Sequence, residues 1–283
     1  MPSKSRPTEE IKSAKAPSRK AGRDGAVITL TTDFGLSDGF AGVMRGVILT
    51  IAPGTAVVDL SHDIPPFDLR AAQWIVRNSW SFFPAGTTHV VVVDPGVGSP
   101  RKALLLESRG HRFVGPDNGL FSWIYADDGN CRALELTKKE FWLRPVFRTF
   151  HGRDIYAAVA AHTVSGVPFA SFGEEVAVES LVQIPEPRLV SLKGWIDGEV
   201  VYEDRFGNLV TNIPATSTRR DGACILDGRA VGHLTRTYSS AADGEIAVVV
   251  GSHGCVEIGI YQGRASNLLG AGVGSSVRVE SRQ

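Results

Sequence analysis

THVVVVDPGVGSPR (88–101) is the stretch on which the fold turns: four consecutive valines, then Asp94, Pro95, two glycines and Arg101. A strand apolar on both faces is a strand covered on both sides, as in the parallel sheets of α/β proteins. The run stops at Asp94, so it delivers a carboxylate to the open carboxyl end of a sheet. The glycine-containing loop then brings Arg101 back beside it. A buried carboxylate without a partner is costly, and the arginine seven residues on is the expected partner.

Outward from this strand, extended and helical signals alternate. VITLTTD (27–33) predicts a strand ending on Asp33, GFAGVMRGVILTI (39–51) a helix, and TAVVDLSH (55–62) a second strand. DLRAAQWIVRNSWSFF (68–83) predicts an amphipathic helix with Asp68 at its positive end. KALLLES (102–108) and HRFVGP (111–116) follow as strands, and RDIYAAVAAHTVSG (153–166) is a helix closed by glycine. Together they predict an α/β N-terminal domain over 26–185, with a mostly parallel central sheet between helices. Beyond the proline-bearing QIPEPRLV (183–190) the pattern changes to short alternating runs with glycine turns. This predicts a smaller all-β, barrel-like C-terminal domain over 186–283. Residues 1–25 read as a disordered basic tail, since the first 24 hold seven Lys/Arg, three acids and no apolar region.

Thirty basic residues balance thirty acidic ones without a long basic stripe, which argues against a nucleic-acid partner. Three dispersed cysteines and no CxxC pair argue against a disulfide framework or structural zinc and fit a reducing cytoplasm. No apolar run approaches the ~20 residues of a membrane span. A small-molecule partner is expected. Open α/β sheets bind ligands outside the carboxyl ends of their strands, which gives Asp33, His62, Asp63 and Asp94 one common rim. Several carboxylates with little basic compensation suit a cationic ligand or a ribose diol better than a phosphate. GxGxxG, GxxxxGK[ST], HExxH and GxSxG are all absent, and His62 beside Asp63 lacks the further ligands a metal needs. No metal and no cofactor are expected.

Taken singly, TTDFG (31–35), VGPDNG (114–119), DRFGN (204–208) and GSHG (251–254) read first as turns. Asp117 and Asn118 of VGPDNG are candidates to reach a ligand, Phe206 offers a ring for stacking, and Asn208 offers the donor and acceptor an adenine edge requires. HGRD (151–154) reads equally as a helix start or as a site wall.

In this order, TLTTDFG, DPGVG with its trailing arginine, VGPDNG, FHGRD, DRFGN and GSHG resemble the S-adenosyl-L-methionine (SAM) hydroxide adenosyltransferase family, which is homologous to the fluorinating and chlorinating adenosyl transferases. The resemblance spans about residues 26 to 280. It implies an α/β domain joined to a β-barrel, a homotrimer with substrate sites at subunit interfaces, and attack of water or hydroxide on the ribose 5′ carbon of SAM. The family's Asp-Arg-His triad corresponds to Asp94, Arg101 and His151. Asp33 is then implied at the ribose hydroxyls, Asp38 near the methionine end and Asp204 at its ammonium. Phe206 and Asn208 are implied at adenine, and Ser252 at the methionine carboxylate. The halogenating relatives carry an arginine where this chain has His253, so carboxylate recognition there is left open. Two competing readings are a halide-dependent, chlorinase-like adenosyl transferase and a non-catalytic protein that binds SAM or adenosine.

Overall fold

Two-residue turns and continuous valine runs set the topology of the N-terminal sheet. The computed structural model describes residues 25–282, and all of the expected tail except Gly25 lies outside them. The chain divides into two compact units, one running to Ile184 and the other starting at Pro185.

The first unit contains β1 (Val27–Thr32), α1 (Phe40–Ile51), β2 (Ala56–Ser61), α2 (Leu69–Arg77), β3 (Thr88–Val92), β4 (Ala103–Ser108), β5 (His111–Pro116), α3 (Ser122–Asp127), β6 (Arg132–Glu135), α4 (Ala158–Val164) and β7 (Glu174–Val176). Its seven strands run in the order β2-β1-β3-β5-β4-β6-β7. The sheet is mixed: β2, β1, β3 and β5 are parallel, whereas β4, β6 and β7 join antiparallel. The switch occurs at the β4–β5 hairpin. Its two loop residues, Arg109 and Gly110, both take positive φ (49° and 78°), the conformation whose twist matches the strands of a tight hairpin.

The helices form because their apolar residues fall on one side. Ala41, Met44 and Ile48 of α1 are buried, and the Asp68 side chain caps α2 by accepting from the Ala71 N–H at 2.9 Å. Met44, Ile48 and most of α4 pack with Leu30, Val90, Val92 and Val114 in one core. Residues of opposite parity, such as Phe113, face Trp80 and Trp123 at ring distances of 6.3 and 5.7 Å. The expected helix over 153–166 starts earlier and differently, as a wider π-turn over Gly152–Ala157 that runs into α4.

Gly115 shows how tightly the central strands pack. A Cβ there would lie 2.4 Å from the Val91 carbonyl oxygen and 3.0 Å from the Phe121 ring. Gly115→Ala is therefore expected to force β5 away from β3 and cost about 1–3 kcal/mol. Thermal unfolding measures the loss, and a melting temperature equal to the parent's contradicts it.

The second unit contains β8 (Val190–Leu192), β9 (Trp195–Glu203), β10 (Leu209–Pro214), β11 (Ala223–Leu226), β12 (Arg229–His233), β13 (Ile246–Val250), β14 (Cys255–Ile260), α5 (Ala265–Leu269) and β15 (Ser276–Glu280). The sheet order is β12-β11-β15-β9-β10-β14-β13, all antiparallel, with β8 beside β9. A bridge from Leu234 to Val248 brings the two ends of the sheet together, which makes it a near-barrel. Its core includes Val200, Leu209, Ile213, Val256, Ile258 and Val277. Among the described residues, no helix is long and apolar enough to cross a membrane.

Candidate active site

Asp33 follows β1 and Asp94 follows β3, and these strands are parallel neighbours, so two carboxylates reach the same rim. A cavity of about 320 Å³ opens there, lined by Asp33, Phe34, Phe40, Phe67, Asp94 and His151 among others. One wall is aromatic: the Phe150 ring lies 5.9 Å from Phe34 and 5.2 Å from Phe40.

Asp94 and Arg101 form a bidentate pair. The Arg101 Nε–H donates to Asp94 Oδ1 at 2.6 Å, and Nη2 pairs with Oδ2. Their side chains are only 5% and 9% exposed, so each compensates a charge that water barely reaches. Nη2 also approaches His151 Nδ1 at 3.3 Å, which joins the three side chains into one cluster. Since the guanidinium only donates, Nδ1 accepts and the neutral imidazole carries its proton on Nε2. Burial, reinforced by Arg101, lowers the proton affinity of His151 below the usual histidine value, while Asp94 and Asp154 pull the other way. His151 is therefore neutral at pH 7.

The surroundings of the cluster explain its geometry. Asn118 donates from Nδ2 to the Val93 carbonyl at 2.9 Å and so pins the end of β3, while Asp117 accepts from the Val182 N–H. Both side chains hold backbone, and neither lines the cavity. On the opposite side, buried Asp154 accepts from the Phe147 N–H at 2.7 Å and from Arg153 Nε at 2.6 Å. These bonds fix the turn that presents His151. Gly98 (φ 79°) lets the 95–100 loop pass close to Arg148, since a Cβ there would lie 2.5 Å from the Arg148 carbonyl oxygen.

Asp33 accepts from the Phe67 N–H at 2.9 Å. Phe67 has φ 68°, a strained backbone for a non-glycine residue, and Asp33 helps to hold it. Asp38 is exposed in the loop before α1 and does not line the cavity. His62 and Asp63 do not share the rim as expected. His62 is buried beside the sheet, with Nδ1 2.8 Å from the Thr32 hydroxyl and Nε2 3.1 Å from Asp59, which in turn is paired with Arg45. Asp63 is exposed. Among the described residues no group of three His, Cys, Asp or Glu could hold a metal ion.

The other four expected residues lie in the second unit. In the β9–β10 connection, Asp204 accepts from the N–H groups of Phe206 (2.8 Å) and Asn208 (2.9 Å) and from Asn208 Nδ2 (2.8 Å). The loop leaves Phe206 72% exposed and Asn208 buried. Ser252 is exposed in the tight turn before β14. Beneath that turn, His253 Nε2 lies 3.1 Å from buried Glu257, whose other oxygen accepts from the Tyr238 hydroxyl. Burial opposes charge on His253, but contacts with Cys255 and Glu257 outweigh it and raise its proton affinity to about 9. A Cβ on Gly259 would lie 2.6 Å from both Asn208 Oδ1 and the Tyr238 ring, so this glycine lets the supports of the two loops meet. The Tyr238–Glu257 support was not expected from sequence. Its members stand on two separate segments, and a glutamate in an apolar strand is the one signal that marks it.

Comparison with known proteins agrees across the chain. Residues 28–173 match the SAM hydroxide adenosyltransferase N-terminal domain, and residues 198–278 match the C-terminal domain. A Salinispora tropica protein named (R)-S-adenosyl-L-methionine hydrolase is 37% identical over 253 residues, covering 89% of this chain and 97% of that protein. An Actinoplanes protein named Fluorinase is 24% identical, covering 69% of this chain and 74% of its own length. The crystal structure of an uncharacterized conserved protein from Thermotoga maritima superposes with a TM-score of 0.83 at 30% identity, covering 89% of this chain and 99% of that one. With both domain models matched in order, and a relative at 37% identity aligned over nearly its whole length, the chain belongs to the SAM hydroxide adenosyltransferase family.

Proposed function

We propose that this protein hydrolyses S-adenosyl-L-methionine to adenosine and L-methionine. The observation that carries the reading is the half-buried Asp94–Arg101–His151 cluster on a cavity whose lining has two carboxylates and an aromatic wall. Membership of the family and the name of the Salinispora relative support the same substrate.

The chemistry follows from the charges. SAM is a sulfonium, so the C5′–S bond breaks with its electron pair going to sulfur, and methionine leaves as a neutral thioether that needs no acid. A water oxygen forms the new C5′–O bond and releases one proton. N–H groups of Arg101 and His151 hold the oxygen and favour hydroxide character. Asp94 takes the proton on a lone pair that Arg101 leaves free, from which it passes to solvent. A positioned base of this kind contributes about 10²–10⁴-fold, and alignment opposite the sulfur contributes further through proximity.

Recognition is distributed over the remaining residues. Asp33 takes the ribose hydroxyls and Asp38 lies toward the methionine end. Phe206 stacks on adenine, Asn208 reads its edge, and Ser252 binds the methionine carboxylate. Asp204 serves the ammonium: a carboxylate has about four lone-pair sites, and three are occupied by its own loop. The family resemblance supports a homotrimer in which these second-unit residues come from a neighbouring copy, and three dispersed cysteines without a CxxC pair support a reducing cytoplasm as its place of work.

The test is chromatography of purified full-length protein incubated with SAM, with and without chloride. Equimolar adenosine and methionine at a chloride-independent rate are expected. A chlorinated nucleoside would establish the halide-dependent transferase instead, and binding by calorimetry without product would establish a binding protein.

A further inference from the structure

Glu257 stands in β14 between Val256 and Ile258, which belong to the core of the near-barrel. Alternation turns its carboxylate to the other face of the strand, yet the residue is only 5% exposed. A carboxylate buried this far needs partners, and two different segments supply them. Oε1 accepts from the hydroxyl of Tyr238, which opens the short turn Tyr238–Ser240, and Oε2 lies 3.1 Å from Nε2 of His253 in the turn that carries Ser252.

The fit around each contact is close. A Cβ on Gly251 would lie 2.5 Å from His253 Nε2 and closer still to Glu257 Oε2, so the residue that opens the Ser252 turn lies directly over the pair. The other ring nitrogen of His253, Nδ1, lies 3.4 Å from the Cys255 nitrogen, and the side chain is 13% exposed. Both nitrogens therefore face the protein beneath the turn. At the far end, Tyr238 packs where Gly259 leaves room, beside Asn208, whose Nδ2 donates to Asp204. One carboxylate thus connects the Ser252 turn to the Asp204–Asn208 loop.

We propose that Glu257 is a positioning residue that fixes the Ser252 turn and the Asn208 loop relative to each other, with His253 as its partner beneath the turn instead of a ligand for the methionine carboxylate. The part each loop plays in binding SAM rests on the hydrolase reading; the tie between them does not. Loops ordered before the ligand arrives cost less to bind, so the tie acts on affinity. The Asp94–Arg101–His151 cluster belongs to the first unit and takes no part in it.

Glu257→Met keeps the length of the side chain and removes both acceptors. In the full-length protein without ligand, hydrogen exchange read by mass spectrometry is expected to be on the order of 10-fold faster over 204–210 and 250–256, and unchanged over the β11–β12 hairpin. By calorimetry, adenosine and S-adenosylhomocysteine, which keeps the amino acid end without the sulfonium, should each bind on the order of 10-fold more weakly. With SAM, KM should rise by a similar factor while kcat stays within about twofold, as when ground-state and transition-state binding are lost alike. Tyr238→Phe keeps the ring against Gly259 and removes one contact, and should loosen 204–210 more than 250–256. If His253 bound the substrate carboxylate directly, Glu257→Met would release it for that task, and S-adenosylhomocysteine would bind as tightly as before or more so; that result overturns the proposal. Unchanged exchange over either segment overturns the tie, and faster exchange over β11–β12 as well reduces Glu257 to a residue of general stability. Should Glu257→Met not fold, Tyr238→Phe decides, since unchanged exchange over 204–210 in that variant also overturns the tie. A parent that forms no adenosine, while Glu257→Met still frees both segments, removes the hydrolase reading and leaves the tie standing.

Discussion

Replacing Asp94 by alanine is expected to lower turnover of SAM by about 10²–10⁴-fold while leaving its binding nearly intact, because the carboxylate acts on the attacking water. The same change strands the Arg101 guanidinium, 9% exposed, without its partner. Breaking a buried pair from one side costs about 3–5 kcal/mol, so unfolding in urea should shift well below the parent. Pairing the change with Arg101→Met separates the two effects: stability should recover as the stranded charge disappears, and turnover should not. Adenosine release, calorimetry and urea melts make the comparison. Turnover in Asp94→Ala within a few-fold of the parent would remove the cluster from the chemistry.

The second large effect concerns stability in acid. His89 lies on β3 with no exposure, its Nδ1 2.8 Å from the Thr29 hydroxyl and its Nε2 3.2 Å from His111. Burial, with His111 adding to it, lowers its proton affinity from 6.5 to about 3. The unfolded chain takes up a proton near 6.5 and the folded chain does not until about 3, so protonation favours unfolding throughout that window. Stability is complete above 6.5 and is expected to fall by about 1.4 kcal/mol per pH unit for this group below it. His111 and His162, also lowered by burial, add in the same sense. Urea melts between pH 7 and 5 isolate the histidines from most carboxylates, and His89→Gln should flatten the slope by about one proton. An equal slope in both proteins would show that His89 does not resist protonation.

The expectations that came closest to the structure rest on long, one-sided patterns. The valine run ending at Asp94 is legible because both faces of a central strand are apolar, and the alternation after residue 190 because barrel strands are half exposed. β6, β7 and α3 escaped notice since RALE and EEV are too short and too polar to carry a period, and SWIYAD spans less than two turns. SRGH between β4 and β5 held the signal for an antiparallel hairpin, an Arg-Gly pair at positive φ, which sets the switch in sheet direction. At the site, Asp94 and Arg101 could be paired because seven residues separate them. His151 could be attached only through family resemblance, being fifty residues further along the chain. His62 shows the limit of strand-end reasoning: a polar residue at the right place in sequence turned inward once Thr32 and Asp59 offered partners.

The wide turn over Gly152–Ala157 also makes the length of that segment informative. A π-turn takes up more residues per revolution than the α-helix it feeds. Removing one residue would therefore let the segment close into regular α-helix with little net rotation of what precedes it relative to α4, and His151 would keep roughly its direction. The same deletion within α4, where no residue is spare, would turn everything before it by about 100°. The segment that presents His151 thus tolerates a change of length that α4 does not.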